Sequence, residues 1–331
     1  PGGTARASRP AEPRRAGLLA RFRQDAFWYR QRGAVLSFAV LAAMLALAAA
    51  VVPGTFYSAT NLSNLAGQLA PLFLVSLGQT FVLLGAGFDL SVGAVISLSS
   101  AILTLDLADP IKIPLAFAAA ATVGLVNGWG CVHLRVHPII MTLATSSIVQ
   151  GLALILLPTP GGAAPGLLVQ LASGTFMGLP AGFYWIVAGT AAAIWLVHGT
   201  TYGVRLYATG QNPQAAWMSG IEAPRIRILT YVISSLMAAL AGAYLTGRLA
   251  SGDPNVGSAL GLDSVLGAAL GGTLLSGGVG GPIGTIAGVL IIGVLNNGLN
   301  LAGVSPYYQF VVKGSMLVLA VSLFRRKEAG L

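Results

Sequence analysis

The 331-residue chain is 55% apolar and only 8% charged, with a mean hydropathy of +0.80, where a soluble domain carries about 25% charged residues. Too few charges remain to cover a soluble core of this size, and the apolar residues come in long blocks, so the composition implies helices that cross a bilayer. The net charge of +9 is no nucleic-acid signal: eight of the 18 Lys and Arg precede Gly33, and Arg325, Arg326 and Lys327 close the chain, so each cluster flanks an apolar block.

Residues 1–16, rich in Pro, Gly, Ala and Arg, are expected to be disordered. In 17–32, Leu19, Phe22, Ala26 and Tyr29 recur at helical spacing with Arg21, Arg23 and Arg30 between them, the pattern of an amphipathic helix on an anionic membrane surface. It is no cleavable signal, because the next apolar block is too long and more follow. The chain opens on proline, so an upstream start is expected. A membrane domain then runs over 33–324, with candidate spans at 33–53, 63–86, 92–108, 113–131, 138–157, 183–198, 228–249, 262–278, 282–303 and 307–324. If the amino terminus is cytoplasmic, 15 of the 18 basic residues fall on inside segments. That predicts an all-α, multi-pass protein of the inner membrane with about ten spans and both termini cytoplasmic, including a tail at 325–331.

Two stretches do not read as plain spans. GAGFDLSVG at 85–93 interrupts two apolar blocks, and GGTLLSGGVGGPIG at 271–284 is dense in glycine. They are either broken or re-entrant helices beside a transport path or tight turns at the membrane surface. Gly267 with Gly271, and Gly284 with Gly288, stand at the i, i+4 spacing that lets helix backbones approach closely.

No catalytic, metal-binding or Walker lysine motif is present, and Cys131 is the one cysteine, so the chain is not read as an enzyme and cannot hydrolyse ATP through a Walker site. Asp89 either lines a path or caps the helix beginning near Ser91. Gln79, Thr80, Asn127, Thr142, Asn296, Asn297 and Asn300 add uncharged donors and acceptors within the spans. These suit a neutral, hydroxyl-rich solute, or else bond helix to helix. Asn296 and Asn300 share a helical face. In the loop 199–227, Asn212 followed by Pro213 is a helix start, and Gly220 ends a short helix from Gln214. Marginal alone, such a helix on the basic side reads as a docking element for a cytoplasmic partner.

At this loop, Gln214-Ala215-Ala216, three residues and Gly220 resemble the EAA…G coupling signature of ABC-importer permeases, with Gln for Glu. GFDLSVG at 87–93, HPIIMTLAT at 137–145, LGGTLLSGGVG at 270–280 and NNGLNLAGVSPYYQ at 296–309 resemble the monosaccharide subgroup, which imports ribose, xylose, arabinose or galactose. Phe88 stands where that subgroup usually has Ile, Ala86 where Gly is common, and Gln150 where Arg is frequent. The resemblance implies the ABC-permease fold, a homodimer with a path on its two-fold axis, a separate ATPase that binds the ATP and docks on 212–220, and a periplasmic sugar-binding protein. Arg248 is then a candidate contact for that binding protein, or a snorkelling anchor. Other solutes remain open for the same architecture (a nucleoside, a branched-chain amino acid, a furanosyl signal molecule), as does an ion-driven carrier, against which the scarcity of intramembrane carboxylates argues.

Overall fold

The computed structural model describes residues 33–50 and 54–323; the amphipathic helix expected within 17–32 and the tail at 325–331 lie outside the described residues. Within them the chain is all-α apart from a two-residue hairpin. Its helices are α1 (Gly33–Ala50), α2 (Ala59–Leu84), α3 (Val92–Leu103), α4 (Asp109–Val132), α5 (Pro138–Leu156), α6 (Gly166–Ser173), α7 (Ala181–His198), α8 (Thr201–Gln211), α9 (Pro213–Met218), α10 (Ala223–Leu249), α11 (Leu260–Leu270), α12 (Pro282–Leu301) and α13 (Pro306–Leu323). The hairpin pairs β1 (Thr175–Phe176) with β2 (Leu179–Pro180). Helix starts follow local chemistry: the Ser58 hydroxyl accepts from Asn61 N–H at α2, and proline opens α4, α5, α9, α10 and α12, where a missing N–H costs nothing.

Among the described residues seven helices, α1, α2, α4, α5, α7, α10 and α12, are long and apolar enough to cross a membrane. α2 is the central post, with every residue from Leu69 to Leu84 buried, and α10 packs along α2, α3 and α4. The periphery is apolar instead: Leu125, Val126, Ile148, Ile155 and Trp195 are exposed on α4, α5 and α7, a surface that suits lipid. In such a setting close packing holds helices together more than water exclusion does. Gly284 and Gly288 of α12 face Gly271 and Gly267 of α11 so closely that an added Cβ would meet opposing backbone, so the glycine spacing read from the sequence is a helix contact. Gly124 and Gly128 of α4 make a second such contact, against the backbone of α10 at Val232 and Ile228.

The differences from the sequence reading are local. The block at 92–108 is helical only to Leu103, and that at 262–278 only from Leu260 to Leu270. At about 1.5 Å per residue, α3 and α11 reach about 18 and 16 Å, short of an ~30 Å hydrocarbon core. α13 is 18 residues long, but Gln309 and Lys313 interrupt its apolar run, and it is not among the seven. The segment between α5 and α7, outside every candidate span, holds α6 and the hairpin. Within the loop expected at 199–227, Thr201–Gln211 is helix α8.

Candidate functional site

The break after α2 is where the sequence candidates converge. Gly85, Ala86 and Gly87 turn the chain, Ala86 in the left-handed region at φ 58°, and Asp89 follows, fully buried. Its Oδ1 accepts from Ser91 N–H (3.0 Å) and Ser91 Oγ–H (2.6 Å), and its Oδ2 accepts from Ser234 Oγ–H on α10 (3.0 Å). Ser91 Oγ also accepts from Asn127 Nδ2 on α4 (2.8 Å), and Thr142 Oγ1 on α5 accepts from Leu90 N–H (3.1 Å). With its side-chain oxygen and nitrogen exchanged, the orientation its surroundings satisfy, the Gln79 amide brackets the Asp89 backbone, donating to its carbonyl (3.0 Å) and accepting from its N–H (3.3 Å). Tyr231 Oη donates to Phe88 O and accepts from Phe88 N–H, each at 3.4 Å. Five candidates, Gln79, Asp89, Ser91, Asn127 and Thr142, therefore meet in one node joining α2, α3, α4, α5 and α10, with Asn127 Oδ1 buried and without a partner among the described residues. A buried carboxylate without a cation needs such donors, and here it spends them on tying the broken backbone of α2–α3 to its neighbours. Asp89 bonds the N–H of Ser91, two residues on and just before α3, which closes an Asx turn rather than a side-chain cap of that helix.

The remaining polar candidates lie on α12 and its partners. Thr80 Oγ1 shares a 2.6 Å hydrogen bond with Thr285 Oγ1, tying α2 to α12. Asn297 and Asn61 exchange two amide hydrogen bonds, both 2.9 Å. Asn300 Oδ1 accepts from Gln309 Nε2 (2.7 Å), and Asn296 Oδ1 is buried without a partner among the described residues. Of the three asparagines, only Asn296 retains a buried acceptor to offer a solute.

At the end of the molecule where α2 breaks, α9 stands as the expected short helix, running Pro213–Met218 rather than Gln214–Gly220. Asn212 Oδ1 accepts from Gln214 N–H and Ala215 N–H, both 3.0 Å. Gly220 N–H donates to Trp217 O (2.9 Å) and Ile221 N–H to Ala216 O (3.0 Å), with Gly220 at φ 78°, so a Schellman close terminates the helix. Ala216 is buried, whereas Trp217 is 72% and Met218 83% exposed, leaving two large apolar side chains in the open.

α8 joins α9 to both helix breaks. Tyr207 Oη donates to Gly280 O (2.6 Å) and Gln211 Nε2 to Gly278 O (3.2 Å), while Gly278 N–H donates to Leu84 O at the end of α2 (3.0 Å). The glycine-rich segment after α11 thus lies against both the turn at 85–87 and α8. Arg248, near the opposite end of α10, packs its guanidinium over Gly67 of α2 and makes no ion pair among the described residues. Gln150, the departure from Arg, donates to Pro254 O (2.7 Å) and so holds the α10–α11 connection.

Sequence reasoning missed Ser234, Asn61 and the α8 contacts, and also an ion pair between Asp263 on α11 and Lys313 on α13. Its atoms are 2.7 Å apart and both side chains are 15% exposed. The signal for that pair was present: two opposite charges, each inside an apolar block.

A family described as branched-chain amino acid transport system / permease component matches residues 61–321. The chain belongs to this permease family. The ribose import permease protein RbsC of Bacillus subtilis is 41% identical over 295 residues, covering 86% of this chain and 91% of that protein. RbsC of Escherichia coli K12 is 33% identical over 91% of this chain and 95% of its own length. The L-arabinose permease AraH of the same strain is 34% identical over 87% and 90%. No solved structure matches the chain. This permease is therefore an ABC-importer subunit related to the ribose, galactose and arabinose systems, a multi-pass inner-membrane transport component rather than an enzyme.

Proposed function

We propose that this permease is the membrane half of an ATP-driven importer of a small sugar, with α9 as the element through which a separate ATPase moves it. The observation that carries the reading is α9 itself: a six-residue helix, fixed at both ends by its own caps, that holds Trp217 and Met218 exposed. Large apolar side chains held outward on a rigid support are what interface hot spots are made of. The α8 contacts supply a route inward, from α9 to the two broken helices. The relatives' sugars supply the substrate class, and uncharged amides such as Asn296 suit it. The family's description favours a second reading, a branched-chain amino acid as the solute; against it stand the sugar permeases that match nearly end to end.

In this reading two copies form the path on a two-fold axis, a periplasmic binding protein delivers the sugar near Arg248, and both termini are cytoplasmic. Membrane crossings near ten include α3, α11 and α13. Uptake into liposomes that hold the permease, its ATPase and its binding protein tests the assignment. Sugar accumulation that needs ATP and ends when 212–220 is deleted supports it. Accumulation by the permease alone under a proton gradient refutes it, and so does labelling of Trp217 from the external side.

A further inference from the structure

A cavity of about 680 Å³ opens beside α9, within the size range of small-ligand sites. Its walls come from four places in the chain: the Gly85–Gly87 turn, the α4–α5 connection, α9, and the first turns of α10. Two guanidiniums, Arg135 and Arg227, line it with His137, Gln214, Trp217 and Tyr231, and no carboxylate does. Glu222, the nearest acid in sequence, is held by Arg225 at 2.7 Å on the exposed surface and does not contribute to the wall. Nε of Arg227 is buried and has no hydrogen-bond partner among the described residues.

Two long helices begin at this cavity. α5 starts at His137–Pro138 and α10 at Ala223–Pro224, and neither N-cap residue supplies a side-chain cap. Pro138 and Pro224 bring no N–H to the wall and Ala223 N–H donates to Ile221 O (2.9 Å), so these helix starts contribute the partial positive charge of their ends rather than free donors. Two guanidiniums, one of them with its Nε unmet, line a wall that holds no carboxylate, and the nearby buried acid Asp89 is engaged by Ser91 and Ser234 behind the Gly85–Gly87 turn; with two positive helix ends beside them, the arginines offer phosphate their fork geometry.

We propose that this cavity binds a phosphate group, carried either by a small soluble ester or by a lipid headgroup. The bound group would bridge α9 to the turn that leads into Asp89, so occupancy would restrain α9 relative to the break after α2. That regulatory consequence rests on α9 being the docking element; the binding itself does not.

The test uses the intact chain in phosphatidylcholine nanodiscs in chloride buffer, titrated calorimetrically with inorganic phosphate and a pentose 5-phosphate, with the uncharged pentose as control. Wild type, Arg227→Gln and Arg135→Gln are compared. Arg135 sits in an exposed connection, so its variant keeps the test open should Arg227→Gln misfold. A parallel set of discs contains phosphatidylglycerol, with retained lipid measured by native mass spectrometry. Saturable binding of a phosphate probe, weakened about tenfold or more in each folded variant, establishes the site with a soluble ligand. Phosphatidylglycerol retention that falls in the variants, without soluble binding, establishes it with a lipid ligand. Absence of both overturns the proposal, as does binding that the variants leave unchanged. Loss of ATPase docking in the variants with no phosphate bound also overturns it, because the arginines then serve a protein carboxylate.

Discussion

Lys313→Met should cost the fold far more than replacing both members of its ion pair. In the native arrangement the ammonium lies 2.7 Å from Asp263 Oδ2 between α11 and α13, both side chains 15% exposed. At an effective dielectric of about 20 that separation gives an attraction of about 6 kcal/mol, most of it offset by taking the two ions out of water. The pair as a whole therefore contributes little net stability. Removing the lysine alone leaves a carboxylate with that cost and no counter-charge, a loss of about 3–5 kcal/mol. The double variant Asp263→Leu/Lys313→Met should return to within about 1 kcal/mol of wild type. Sodium dodecyl sulfate titration of the detergent-solubilised protein, followed by tryptophan fluorescence, measures all four members of the cycle. A Lys313→Met variant as stable as wild type would refute the reasoning, as would a double variant no better than the worse single one.

Four further outcomes follow from the geometry. Trp217→Ala should weaken ATPase capture by about 2 kcal/mol or more, roughly thirtyfold, without shifting the unfolding midpoint, because the side chain is 72% exposed; equilibrium pull-down and a melt on one preparation check both parts. Asn212→Ala removes two 3.0 Å cap bonds and should cost α9 about 1 kcal/mol, read as faster hydrogen exchange at Gln214 and Ala215. Gly288→Val forces a branched side chain into the backbone of Gly267 and should destabilise by about 1–3 kcal/mol in the same detergent titration. Ala86→Gly relieves a left-handed alanine at φ 58° and should raise stability by about 1 kcal/mol, seen as a higher midpoint.

Much of this was legible in the sequence, and the reasons differ by element. The seven long helices announce themselves because lipid admits little besides unbroken apolar runs. α9 could be read because its caps lie within nine residues, from Asn212 to Gly220, and depend on nothing distant. Asp89 was visible as an isolated acid, but its partner Ser234 was not: a small hydroxyl inside α10 carries no pattern that distinguishes it from Ser235 beside it. α8 was hidden by Gly203 and Gly210, which read as breakers. They are there because an added Cβ would strike Val197 O and Leu84 O, contacts that exist only after folding. The α6 segment and the hairpin are too short for periodicity to register.

The two interrupted spans share a single fastening. Gly278 is bonded to the end of α2 on one side and to Gln211 on the other, and Gly280 is held by Tyr207. A push that rotates α8 consequently acts as on a yoke: it cannot tug the strap behind α11 while leaving the elbow behind α2 at rest. Halves of the bundle far apart along the chain are geared to shift in step.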